Sequence, residues 1–169
     1  MASIAGSPVG PRTLAPDRFE QVMAFAAVVL LGCVIVAVTK GADGLAKVPP
    51  FILLHLATIT IALALTPVML LRPRGDRSHR RLGTIWVLAM FSTAALSFGI
   101  RTNQWGGFSV IHILSVWTVI QVPIIWWTAR NHKIARHRSA VRGMVFGALL
   151  IAGFFTFPFD RMLGRWLFS

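Results

Sequence analysis

Five long apolar stretches set apart by polar breaks dominate the chain: Phe19–Thr39, Phe51–Leu71, Leu82–Ile100, Ser109–Thr128 and Val141–Phe159. Each runs about 20 residues, which at about 1.5 Å of rise per residue spans a hydrocarbon core about 30 Å thick. A soluble helix of that length carries a polar face, and these stretches show almost none. The pattern predicts an all-α integral membrane bundle of five transmembrane helices. Residues 1–18 are rich in Pro, Gly and Ala, lack hydrophobic periodicity, and are expected to be a disordered cytoplasmic tail. Residues 19–160 are then the transmembrane domain, and 161–169 a short interfacial tail that anchors on the outer surface.

The chain carries a net charge of +12, a balance that in a soluble protein would suggest nucleic-acid binding. Here the position of the charge points elsewhere. Arg72, Arg74, Arg77, Arg80 and Arg81 fill the second break, and Arg130, Lys133, Arg136, Arg138 and Arg142 the fourth. The first break holds Lys40 and Lys47, and the third only Arg101. Short loops rich in Arg and Lys stay cytoplasmic, where anionic lipid also attracts them. The amino terminus is therefore expected inside and the carboxyl terminus outside, in a bacterial inner membrane, with lipid rather than nucleic acid as partner.

Gly143 and Gly147, four residues apart, form a small-residue face of the kind that lets helices approach closely. Packing inside the bundle is one use of it, and a homodimer or docking to a larger complex is another. Trp86, Trp105, Trp126, Trp127 and Trp166 fall near stretch ends and are expected to be interfacial anchors. The lone Cys33 permits no intramolecular disulfide.

His55 and His112 enter the second and fourth stretches at nearly equal depth from the outer side. An ionisable group inside a membrane helix must face the bundle and find a partner. Two imidazoles from different helices at one depth suit the axial positions of a b-type haem, with Arg101 or Arg161 neutralising its propionates. The same pair suits Cu or Zn, or a hydrogen bond to a quinone carbonyl, and a purely structural pair is the plain alternative. His79 and His137, before the third and fifth stretches, make a second pair, as in the two-haem transmembrane cytochromes b. Their arginine neighbours favour the simpler expectation of solvated interfacial histidines, as for His132.

The runs HRRLGTIWVLAMFSTAALSF from His79, FSVIHILSVWT from Phe108 and ARNHKIARHRSAVRGMVFGALLIAGFFTFPFDR from Ala129 resemble a family of bacterial membrane proteins. That family is catalogued as domain of unknown function 2306. The resemblance covers about residues 50–165 and implies a small multi-pass inner-membrane protein. Its matching polar positions are His55, His79, Ser109, His112, Ser115, Arg130, His137, Arg138 and Arg161. Departures are Val141 and the Pro158-Phe159-Asp160-Arg161 end.

The sequence holds no phosphate-binding glycine loop, nucleophile elbow or HExxH. Glu20 stands at the edge of the first stretch, and acid–base chemistry lacks its usual carboxylates. Three functions remain: haem electron transfer to or from a quinone or partner subunit, a non-catalytic accessory subunit of a respiratory or photosynthetic complex, or a small permease.

Overall fold

The computed structural model describes residues 15–100, 110–158 and 160–169. Helix α1 covers Arg18–Lys40, α2 Pro50–Leu71, α3 Arg77–Ser97 and α4 Val110–Arg130. The last long helix is composite. It starts as α5, Ile134–Gly143, passes into a π-helical segment, Met144–Ile151, and ends as α6, Ala152–Phe154. A 3-10 turn, Ala42–Lys47, links α1 to α2, and α7, Met162–Phe168, closes the chain. No strand occurs among the described residues.

Local chemistry sets the helix starts. Asp17 accepts from the Glu20 amide at 3.0 Å while the Glu20 carboxylate accepts from the Asp17 amide at 3.1 Å, a reciprocal cap that opens α1. Pro50 begins α2, where its missing N–H costs nothing. Asp76 caps α3 by accepting from the His79 amide at 2.6 Å. Gly75, at φ +94°, supplies the left-handed turn that brings α3 back along α2.

Each long helix packs on its chain neighbours, and the π-helical segment also touches α1 and α4, so the helices close into a ring. Gly143 and Gly147 face Trp117 of α4, where a Cβ would meet its ring at 3.7–3.8 Å. Trp117 thus packs against this face, and both glycines stay half-buried. The short tail packs on the end of α1: Trp166 of α7 covers Gly41, and Lys40 Nζ donates to the Leu167 carbonyl at 2.9 Å.

Large apolar side chains cover the outside, among them Phe25 at 70% exposure and Ile113 at 68%, while Thr66, Thr93, Ser97, Ser115, Thr118 and Thr128 are buried. An exterior this apolar is unlike that of a soluble protein, although the core itself is mainly apolar. Three helices, α1, α2 and the His112–Arg130 part of α4, are long and apolar enough to cross a membrane. The other two begin with charged turns, Arg77–Arg81 in α3 and Arg136–Arg142 in α5, before their apolar stretches start.

Candidate functional site

At the end of the bundle where α2 and α4 begin, His55 Nδ1 lies 3.0 Å from the Thr93 carbonyl of α3. A carbonyl only accepts, so Nδ1 carries the proton. Thr93 Oγ1 donates to Thr58 Oγ1 at 2.9 Å, and Thr58 Oγ1 to the His55 carbonyl at 2.9 Å. His112 is buried, its ring 6.3 Å from that of Phe98. The Ser97 and Ser115 hydroxyls bond directly between α3 and α4.

The cavity here, about 130 Å³, is lined by His55, Thr93, Ser97 and Ser115 but not by His112. His55 is bonded to the α3 backbone, and His112 lies against Phe98, the residue that follows α3. Among the described residues the two histidines do not line one common cavity. Among the described residues no three His, Cys, Asp or Glu side chains cluster as a metal site. Arg161 lies just before α7 at this end. Arg101 lies outside the described residues, as do Trp105 and Ser109.

The opposite, basic end holds the larger cavity, about 410 Å³ between α2, α3, α4 and α5. Its depth is apolar and aromatic, with Leu70, Trp86, Ile125, Trp126 and Val145. Its rim carries Arg74, Arg80, Arg130 and Arg138 with His79 and His137. The second histidine pair thus meets at one cavity, and neither ring is the solvated loop residue that its arginine neighbours suggested. Trp86 is likewise no interfacial anchor: it is 4% exposed and its Nε1 donates to Thr66 Oγ1 at 2.9 Å. Trp127 does sit outside, with Lys133 Nζ 4.0 Å from its ring centroid.

His79 Nδ1 is buried and has no hydrogen-bond partner among the described residues. His137 Nδ1 donates to the Ile125 carbonyl at 3.1 Å, which leaves Nε2 as an acceptor. Both precede the apolar stretches, and both titrate below the ordinary imidazole range. Burial is the main cause for each; the nearby charges of His137 and Arg74 add to it at His79, and that of Arg74 at His137, against the bond to Ile125. The two rings are therefore neutral at pH 7.

Glu20 organises this end. It is 1% exposed and accepts from Arg138 Nε and Nη2, each at 2.8 Å, and from Arg142 Nε at 3.1 Å. Arg74 Nη2 reaches the same carboxylate at 2.6 Å. Asp17 adds an ion pair to Arg138 at 3.3 Å and a close one to Arg142. One carboxylate thus ties the start of α1 to the α2–α3 connection and to α5. Its place at the edge of the first apolar stretch hid this role; the Asp17-x-x-Glu20 capping spacing was the available signal.

Comparison of the chain with family models, with curated proteins and with solved structures finds no match.

Proposed function

We propose that this is a five-span protein of a bacterial inner membrane, amino terminus inside, that binds an anionic amphiphile at its basic end. The observation that carries the reading is the make-up of one cavity. Four guanidiniums stand against one carboxylate, Glu20, at its mouth, and tryptophan and aliphatic side chains line its depth. The volume suits a small-molecule ligand. Cations at the mouth attract a negative head, and the apolar depth takes a chain or ring. With its basic end in the cytoplasm, the cavity meets the leaflet whose lipid heads are anionic. The likeness of the His79, Phe108 and Ala129 runs to a bacterial inner-membrane family supports the same placement.

Tryptophan emission tests this directly, because Trp86 and Trp126 line the cavity. Titration with decyl phosphate should change the emission saturably, and decyl trimethylammonium should not. The Arg80→Gln, Arg130→Gln double variant should weaken binding about tenfold, the equivalent of about 1.4 kcal/mol. Equal responses to both amphiphiles would overturn the reading. Electron transfer through haem, the leading expectation from the sequence, is tested separately by an oxidised-minus-reduced absorption spectrum of protein from haem-replete cells. The accessory-subunit reading gains support from no specific contact.

A further inference from the structure

The two cavities lie in line along the bundle axis and approach each other closely. On α2, Thr66 lines the basic-end cavity and Leu63, three residues earlier, the far-end one. On α3 the corresponding residues are Trp86 and Met90, and on the π-helical segment Val145 and Leu149. Three to four residues are one helical turn, about 5.4 Å. A single apolar layer, with Leu63 2%, Met90 1% and Leu149 1% exposed, is all that separates the cavities.

We infer that the two cavities are halves of one path across the bundle, closed by this layer, and that the path takes water. The far-end cavity is large enough for several waters. Its hydroxyls are oriented for them. Thr60 donates to the Leu56 carbonyl at 2.7 Å, Thr118 to that of Leu114 at 2.7 Å and Thr156 to that of Gly153 at 2.6 Å. With those protons engaged, their oxygens accept from water. The arginines at the other end repel cations, hydronium included, as a cationic constriction does in water-selective pores. An anion drawn in by the arginines would next meet acceptor oxygens. What passes is therefore small, polar and uncharged. The path and the proposed amphiphile share the basic-end cavity, so the test is made without amphiphile present.

The test uses the full chain in liposomes, with osmotic water permeability followed by light scattering and proton permeability by an internal pH dye. Met90→Ser should raise water permeability several-fold over wild type at equal protein content, with proton permeability unchanged. Leu63→Ala, which removes bulk without adding a polar group, should do the same where Met90→Ser fails to fold. Water permeability equal to wild type in a folded variant would overturn the inference. So would proton permeability rising in step with water.

Discussion

Glu20 is the residue on which the basic end depends. A buried carboxylate that pairs with three guanidiniums adds little net stability over an apolar substitute, but removing it alone takes away the negative charge on which they converge. Arg74 and Arg138, at 11% and 19% side-chain exposure, have little water to turn to. Glu20→Ala should therefore cost about 3 kcal/mol, read as a lower thermal midpoint in mild detergent. Glu20→Asp, one methylene short, should recover only part of it. The histidine pair carries a pH dependence of definite sign. Both rings titrate below the ordinary value of 6.5, so folding favours their neutral forms. Their contribution is complete above that value and is lost as pH falls through the lower values of the folded protein. The melting temperature should hold from pH 8 to about 6.5 and then decline. In the His79→Gln, His137→Gln double variant the decline should flatten. An unchanged slope would show that these rings do not gain protons on unfolding. The sequence displayed the paired spacing of these histidines but not their burial, because the arginines beside them belong to the rim of the same cavity. Composition alone cannot tell a rim from open solvent.

At the scale of elements, the apolar stretches located all five long helices, since a run of that length has no other way to satisfy its backbone in lipid. The helix ends were less legible. Helix α3 begins at Arg77 and α5 at Ile134, before Leu82 and Val141, because the Asp76 cap and the ion pairs of Arg138 and Arg142 extend them through charged turns. The π-helical segment left no sequence signal, for an i→i+5 register changes which groups bond without calling for particular residues. Its glycines did. Gly143 and Gly147 face Trp117 at ordinary contact distance for a methyl group. Gly147→Ala should accordingly be neutral to stabilising by up to about 1 kcal/mol, since the methyl fits and the helix gains propensity. Gly147→Leu should drive the side chain into the Trp117 ring and cost about 2 kcal/mol, as over-packing does. Unchanged thermal midpoints in both variants would place the glycine face outside the packed bundle and return it to a contact between chains.

The whole molecule joins a charge gradient to a closed ring of helices. Because each helix reverses on its predecessor, the starts of α1, α3 and α5 share one end with the finishes of α2 and α4. That end collects Glu20, both arginine-rich connections and the larger cavity. The other end holds Lys40, Lys47, Arg161 and Arg165 among its described cations. On the proposed topology, the arginines that would hold the basic end inside during insertion also line the cavity proposed to take a ligand. Reporter fusions separate this arrangement from its inverse. A phosphatase active only outside the cytoplasm should be active when fused after Ser169 and inactive when inserted at Gly75. A fluorescent reporter that matures only inside should show the opposite pattern. Activity of the phosphatase at both positions would mean that an even number of crossings separates Gly75 from Ser169, so that one of α3, α4 and the composite last helix does not span. Helix α3 would be the first suspect, because its start, Arg77–Arg81, is charged and it is not among the helices apolar enough to cross by composition. Neutralising Arg77, Arg80 and Arg81 to Gln should then shift a measurable fraction of the Gly75 insertion to the active side, since the bias is set by the number of cations near the helix ends and not by net charge.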